Sequence, residues 1–204
     1  MSLITNPTYA QLQTTIADHL HRADLTSVIP DFIGIAEQRM SSDLKARDME
    51  TKTTLTATIG VGTIAAPTDL VETRRIVLTS SPYSVVTYAP PEKISSTYIP
   101  TLTGIPVEFT VTGGNFEFGP IPDAAYTMEL TYSQRIPALS ASNTTNWVLT
   151  KWPYLYLYGA LLASAPYMRD DNRIPVWQNI YAEMVDNVNS VDWYSGASMK
   201  VRNG

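Results

Sequence analysis

Both ends of the chain carry apolar residues at helical spacing, three or four positions apart. The first run predicts a helix with Asn6 as its N-cap and Pro7 in its first turn. The second run predicts a helix from Ser27, with Pro30 in its first turn, to about Arg47. The apolar faces are formed by Tyr9, Leu12, Ile16 and Leu20 in the first helix, and by Ile29, Ile33, Ala36, Met40 and Leu44 in the second.

The stretch at 151–167, KWPYLYLYGALLASAPY, is apolar on every side. Pro153 suits a first helical turn and Pro166 marks an end, so the stretch predicts a helix of about fourteen residues. Such a helix is too short to cross a bilayer, which needs about 20 apolar residues. A short helix without a polar face is buried. We therefore expect the other helices to pack around it, with Leu157 and Leu161 in the core.

Two further helices and a tail complete the carboxyl-terminal part. Asn146 is expected to cap a short helix that leads into the buried one. A long amphipathic helix is predicted from about Asn172, with Pro175 in its first turn and an apolar face of Trp177, Tyr181, Met184, Val188 and Val191. Residues 195–204 show no periodicity. We expect the segment from Trp193 to Gly204 to be disordered in the free protein and ordered on a partner.

Between about residues 51 and 140 the hydrophobic period changes from 3.6 to 2, which predicts half-buried antiparallel strands. Gly113 and Gly114 predict a hairpin turn, and 90–98 a short helix. The core-facing positions are predicted to be Leu55, Ala57, Ile59, Ile76, Leu78, Val107, Phe109, Val111, Phe116, Phe118, Met128, Leu130 and Tyr132.

This order of elements predicts an α+β fold. Residues 1–50 and 141–194 are expected to form a discontinuous helical bundle, because the buried helix needs the apolar faces of the amino-terminal helices. Residues 51–140 are expected to form an inserted antiparallel β-domain. Residues 195–204 are the C-terminal tail.

Composition narrows the classes of function. The chain has 204 residues, of which 44% are hydrophobic but only 16% charged, and it contains twelve tyrosines and four tryptophans. Few charges and many aromatic residues are typical of surfaces that partners cover. The net charge is −5 and no run of lysine or arginine occurs, which disfavours sequence-independent binding of nucleic acid. Without cysteine the chain has no disulfide or thiolate site. The start, MSLITNPTYAQL, lacks the pattern of a secretory signal.

The sequence shows no signature of catalysis or of metal binding. It lacks GxGxxG, GxxxxGK[ST], HExxH and GxSxG. His19 and His21 lie on different faces of a helix, so we expect solvated or capping side chains. The acidic pairs that a glycosidase could use are Asp69 with Glu72 and Asp123 with Glu129. Asp69 and Asp123 follow prolines in predicted turns, so a turn role is the simpler interpretation. We expect no enzyme, no cofactor and no metal.

A series of short stretches occurs in an order that is more specific than any one of them. They are IPDFIGIAEQRM at 29–40, PTDL at 67–70, GIP at 104–106, FGPIPD at 118–123, IPAL at 136–139, TNW at 145–147 and YLYGALL at 156–162. Over about residues 8–190 the chain resembles the head-to-tail adaptor (connector) proteins of tailed bacteriophages. It is similar to the podophage adaptors and to tail tubular protein A of short-tailed phages. The C-terminal tail does not match that pattern.

The resemblance implies a structural virion protein, made in the host cytoplasm and placed at the head–tail interface. Such proteins form a ring of about twelve copies under the portal protein, join it to a tail or nozzle protein below, and line the DNA channel. The acidic balance suits a channel through which DNA passes without specific binding. We expect no membrane contact. The candidate contacts to the portal or to a neighbouring subunit lie in the tail: Trp193, Tyr194, Met199, Lys200, Val201 and Arg202.

Two other classes of function stay open. A carbohydrate-binding or receptor-binding surface module could stack sugars on aromatic residues of the β-domain. The alternation places those aromatic residues on the core-facing side of the strands, which disfavours the carbohydrate-binding module. A small hydrolase is disfavoured by the missing nucleophile and base. The size of the assembly separates these hypotheses, because a ring indicates the adaptor and a glycan-binding monomer indicates the module.

Overall fold

The computed structural model describes residues 7–99, 101–168 and 172–195, and of residues 23 and 191–195 it describes the backbone alone. The protein is α+β. Its contacts divide the chain into two compact units, one of Met1–Asp48 with Ile136–Gly204 and one of Met49–Arg135. We refer to them as the helical unit and the sheet unit.

The elements of the described chain follow the two predicted periodicities. The helices are α1 (Tyr9–Leu20), α2 (Ile29–Asp43), α3 (Pro91–Thr97), α4 (Trp147–Lys151), α5 (Pro153–Ala163) and α6 (Ile174–Ser195). The strands are β1 (Glu50–Ala57), β2 (Thr63–Ala65), β3 (Leu70–Leu78), β4 (Ser84–Tyr88), β5 (Thr103–Gly104), β6 (Glu108–Thr112), β7 (Asn115–Gly119), β8 (Ile121–Pro122) and β9 (Tyr126–Gln134). Of the helices, α3 belongs to the sheet unit. No described helix has both the length and the apolar character that a membrane span requires.

Helix α5 is the buried helix that its composition predicts. It contacts α1, α2, α4 and α6, and Leu157 and Leu161 are fully buried. Pro153 occupies its first turn, as expected. A Cβ atom built on Gly159 would lie 3.2 Å from the Cβ atom of Ala36 on α2 and 3.4 Å from the ring of Tyr181 on α6. The small residue therefore lets three helices approach closely.

The helix ends differ from the sequence prediction in several places. The N-cap of α1 is Thr8, which forms a capping box with Gln11; the predicted cap, Asn6, lies outside the described residues. The backbone of Val28 caps α2 without a side-chain hydrogen bond, so Ser27 is not the cap. Helix α2 ends at Asp43 because Leu44 is extended.

The sequence prediction extended α2 to about Arg47, but the helix ends at Asp43, which lies 3.6 Å from Arg39, one turn earlier. The histidine prediction is confirmed: His21 is the left-handed C-cap of α1, and His19 contacts the carbonyl oxygen of Thr15 at 2.9 Å.

The main sheet of the sheet unit has seven strands in the order β1-β9-β3-β4-β6-β7-β2, and β5 and β8 form a separate pair. The outer strands β1 and β2 contact each other, so the sheet nearly closes on itself. Most neighbours are antiparallel, but β4 pairs with β6 in parallel, a departure from the wholly antiparallel prediction. The crossover through α3 returns the chain to the same end of the sheet, which makes β4 and β6 parallel.

The interior of the sheet confirms most of the alternating positions. Its buried residues include Leu55, Ile76, Leu78, Phe109, Phe116, Phe118, Met128, Leu130 and Tyr132. Gly113 and Gly114 have φ of 57° and 78° and make the predicted hairpin turn between β6 and β7. The prediction is wrong for Ile59, Val107 and Val111, which are exposed. Ile59 follows the end of β1, whereas the backbone of Val107 bonds to Thr87 and Gly119 and its side chain is nevertheless exposed.

Candidate interaction surface

The predicted contact residues of the tail are not brought together by the described structure. Trp193 and Tyr194 belong to the last turn of α6, which runs on to Ser195. Met199, Lys200, Val201 and Arg202 lie outside the described residues. The tail as a contact surface therefore stays a prediction.

The helical unit contains a buried polar cluster, which we call the Glu37 cluster. The Glu37 carboxylate accepts hydrogen bonds from the Tyr156 hydroxyl at 3.0 Å and from the Leu139 amide at 2.8 Å. The Asn146 amide group donates to the Tyr156 oxygen at 2.5 Å and to the Pro137 carbonyl at 2.8 Å. Burial raises the pKa of Glu37 and that of Tyr156.

This cluster is structural, because its polar atoms are used to hold the backbone. Asn146 also caps α4, accepting a hydrogen bond from the Leu149 amide at 2.9 Å. The Ile136 amide donates to the Ser41 hydroxyl on α2 at 3.4 Å. The segment 136–139 is thus attached to α2 by two side chains and to α4 by a third.

Each of the four acidic residues that a glycosidase could use contacts a different side chain, and Glu72 lies 3.3 Å from Arg74. Asp69 accepts a hydrogen bond from the Tyr132 hydroxyl at 3.0 Å, and Asp123 from the Tyr126 hydroxyl at 2.6 Å. Glu129 pairs with Lys52 at 2.9 Å. These contacts support the turn interpretation of the two aspartates. Within the described ranges, no group of three or more acidic or histidine side chains could hold a metal ion.

The clearest candidate for an interaction surface is an apolar patch at one end of the sheet unit, which we call the apolar tip. Its members are Ile59, Val61, Leu102 and Ile105, whose relative exposures are 64%, 44%, 43% and 36%. They lie on two loops that flank β8.

Backbone hydrogen bonds join both loops to β8. The Gly60 amide donates to the Pro122 carbonyl at 2.8 Å, and the Ile121 amide to the Leu102 carbonyl at 3.2 Å. Gly60 has a φ of 74°, so the turn that presents Ile59 and Val61 requires a left-handed residue. The loops are therefore held together by the backbone, and their apolar side chains are left outside.

The apolar tip is also free of charge along the chain. Neither 53–68 nor 94–107 contains a charged residue. The exposed residue Asp123 follows β8 directly, and its amide donates to the Gly104 carbonyl at 3.3 Å, so one carboxylate borders the patch. An exposed apolar patch with few charges is typical of a surface that another protein covers. The two uncharged stretches are visible in the sequence, but the patch is not, because the stretches meet only through β8.

A family model described as "SU10 adaptor protein" matches residues 7–202, nearly the whole chain. No curated protein matches the chain.

Proposed function

The chain belongs to the SU10 adaptor protein family, and we propose that it is a structural head-to-tail adaptor in the virion of a tailed bacteriophage. In this role it binds the portal protein above and a tail or nozzle protein below. It is made in the host cytoplasm and joins the virion at the head–tail junction. We also propose that this protein has the same function as the podophage adaptors and tail tubular protein A.

The observation that carries this proposal is the family match over residues 7–202, which includes the elements of both units. The order of elements supports it, since the strands of the sheet unit lie in sequence between α2 and α4. We propose that the helices form the adaptor's bundle and that the sheet unit is the inserted domain that carries its contacts.

We further propose that about twelve copies form a closed ring that lines the DNA channel. A head-to-tail ring needs two different surfaces on each copy. The apolar tip supplies one candidate, and the exposed residues Ile35 on α2 and Val176 on α6 are candidates on the helical unit. The net charge of −5 per copy suits a channel that lets DNA pass without binding it.

The proposed role is structural and not catalytic. The acidic residues that a glycosidase could use contact tyrosine, lysine or arginine side chains. The alternative is a carbohydrate-binding module. Phe109, Phe116 and Phe118 are buried in the sheet interior and offer no face to a sugar, whereas Tyr83 and Tyr88 are exposed, so a glycan-binding assay is the test of this second hypothesis.

The test is assembly with and without the portal protein of the same phage. We expect negative-stain electron microscopy of the mixture to show a closed ring of this protein on the portal. The double variant Ile59→Asp with Leu102→Asp should lose the ring, because it places charges in the apolar tip. Thr56→Asp, at an exposed position of β1, is the control and should keep it. A wild-type protein that stays monomeric beside its portal would overturn the adaptor proposal.

A further inference from the structure

Strand β4 separates β3 from β6 over only part of their length. It pairs with β3 at Ile76–Leu78 and with β6 at Glu108–Phe109. It ends at Tyr88, because Pro90 and Pro91 turn the chain into α3.

Beyond the end of β4, no strand lies between the facing edges of β3 and β6, although Thr110 on β6 is fully buried and α3 also contacts β6. Residues 70–75 of β3 pair with β9 on one side, and residues 110–112 of β6 pair with β7. In the described chain, no strand pairs with the other edge of either segment. Two strands that flank a third lie about 10 Å apart, so β3 and β6 have the spacing for one strand between them at the point where β4 ends. We call this space the strand slot.

The strand slot is a cavity of 540 Å³ with a largely apolar lining. Its wall on one side is β3 from Leu70 to Arg75, and on the other Phe109 and Val111. The end of β4 closes it, with the Tyr88 ring edge-on to the Phe109 ring at 5.9 Å. Val71, Val85, Tyr88 and Val111 expose apolar surface there. The slot therefore offers both backbone edges and side-chain contacts to an extended segment.

Two arginines line the slot, and the nearby glutamates pair with only one of them. Arg74 lies 3.3 Å from Glu72 and 3.7 Å from Glu50. Arg75 is exposed, and within the part of the chain that the structure describes it forms no ion pair. A carboxylate on the incoming segment would complement it.

We propose that the strand slot binds an extended segment of a protein partner by strand addition, with apolar side chains and a carboxylate that pairs with Arg75. The backbone of this segment hydrogen-bonds to β3 on one side and to β6 on the other. The apolar side chains cover Phe109 and Val111. This inference rests on the sheet unit alone, and it does not require the ring.

The partner is another protein and not a second copy of this chain. The acidic residues of β1, β3, β6, β7 and β9 belong to strands that already pair within their own sheet. Residues 1–6 and 196–204 contain neither aspartate nor glutamate. These segments offer no aspartate or glutamate side chain on an unpaired extended strand, so we assign the slot to another protein, and the self-association measurement below tests a second copy.

The probe is a capped six-residue peptide in which valine alternates with glutamate, and its counterpart has lysine in place of glutamate. Titrated into the full-length protein, the glutamate peptide should protect backbone amides of residues 70–75 and 110–112 from hydrogen exchange. The lysine peptide should bind more weakly by a factor of about ten or more, because its ammonium groups are repelled by the Arg75 guanidinium. A glutamate peptide with N-methylated backbone amides should lose binding, since it cannot pair with the two edges.

Variants separate the slot from non-specific apolar binding. Val111→Arg should abolish peptide binding, whereas Val61→Arg, at an equally exposed valine of the apolar tip, should leave it unchanged. Arg75→Glu should reverse the preference toward the lysine peptide. Thermal unfolding of each variant shows that the fold is retained.

Three results would overturn the proposal. The first is the absence of amide protection at β3 and β6 up to millimolar peptide. The second is equal binding of the two peptides. The third is self-association of the protein that Val111→Arg abolishes, because a second copy would then occupy the slot. A monomeric, peptide-binding protein that forms no ring with its portal would instead count against the adaptor role alone.

Discussion

The hydroxyl group of Tyr156 on α5 donates a hydrogen bond to the carboxylate of Glu37 on α2 across 3.0 Å, inside the helical unit. The same carboxylate accepts the Leu139 amide, and Asn146 donates to Tyr156. Residues from the stretches at 29–40, 136–139, 145–147 and 156–162 are thus members of one polar cluster. The spacing of those stretches has a physical basis here, because each supplies one part of the cluster.

The Glu37 cluster predicts a pH dependence of stability. Burial raises the pKa of Glu37 in the folded protein, so the folded state binds this proton more readily than the unfolded state. Stability contributed by the protonated form is present below the ordinary glutamate pKa and is lost as the pH rises through the raised value. Glu37→Gln should therefore gain stability relative to wild type as the pH rises through this window.

Denaturant unfolding at a series of pH values measures this difference. Glu183→Gln, at an exposed position on α6, controls for the loss of one carboxylate. A constant difference between wild type and Glu37→Gln at all pH values would contradict the prediction.

Two adjacent leucines of the buried helix α5 are predicted to contribute unequally to the free energy of unfolding. Leu161 is fully buried and Leu162 is only partly buried. Leu161→Ala should lower the free energy of unfolding by about 2–5 kcal/mol, because it leaves a cavity. Leu162→Ala should cost clearly less. Thermal and urea unfolding of both variants provide the measurement, and an unchanged melting curve for Leu161→Ala would refute the core position.

Two helical glycines are predicted to respond in opposite directions. A Cβ atom on Gly34 of α2 would meet nothing within 4 Å, so Gly34→Ala should stabilise the protein by about 0.5–1 kcal/mol through helix propensity. Gly159→Val should destabilise it by about 1–3 kcal/mol, because the added atoms would press on Ala36 and Tyr181. Urea unfolding should show shifts of opposite sign, and a stabilising Gly159→Val would disprove the close approach.

The helical unit is predicted to fold without the sheet unit if its polar cluster is kept. We expect a protein in which a short glycine–serine linker replaces residues 50–134 to retain a helical circular dichroism spectrum and to lose assembly with the portal. A matched version that replaces 50–140 removes the Leu139 amide that Glu37 binds. It should melt at a lower temperature, and a coil spectrum for the first version would refute the prediction.

Removal of the C-terminal tail is predicted to weaken assembly without changing the stability of the fold. Since α6 runs to Ser195, truncation after that residue removes 196–204 without shortening the described helix. The melting temperature should stay unchanged, while binding to the portal or to neighbouring copies should weaken. Lys200→Glu with Arg202→Glu in the full chain should weaken binding as well, if acidic partner groups meet these cations. Unchanged binding by both variants would show that the tail is not a contact surface.

The sequence by itself determined the type of most elements. The hydrophobic period, and the glycines and prolines that begin or end an element, are local properties of the sequence. The uncharged run around Leu157 predicts a buried helix, and the alternation of Met128, Leu130 and Tyr132 predicts a half-buried strand; both are confirmed. Gly113 and Gly114 predict the hairpin for the same reason, since the backbone conformation that the turn needs is available to glycine without strain.

Tertiary structure alone decided which elements meet and which apolar residues are left outside. Ile59 continues the alternation of β1, yet it is exposed because the chain turns at Gly60 to bond to Pro122, a residue distant in sequence. Val111 has the periodicity of a core residue but lines the open slot beyond the end of β4. A sequence pattern records which side of a strand is apolar, whereas burial depends on whether another element arrives to cover that side.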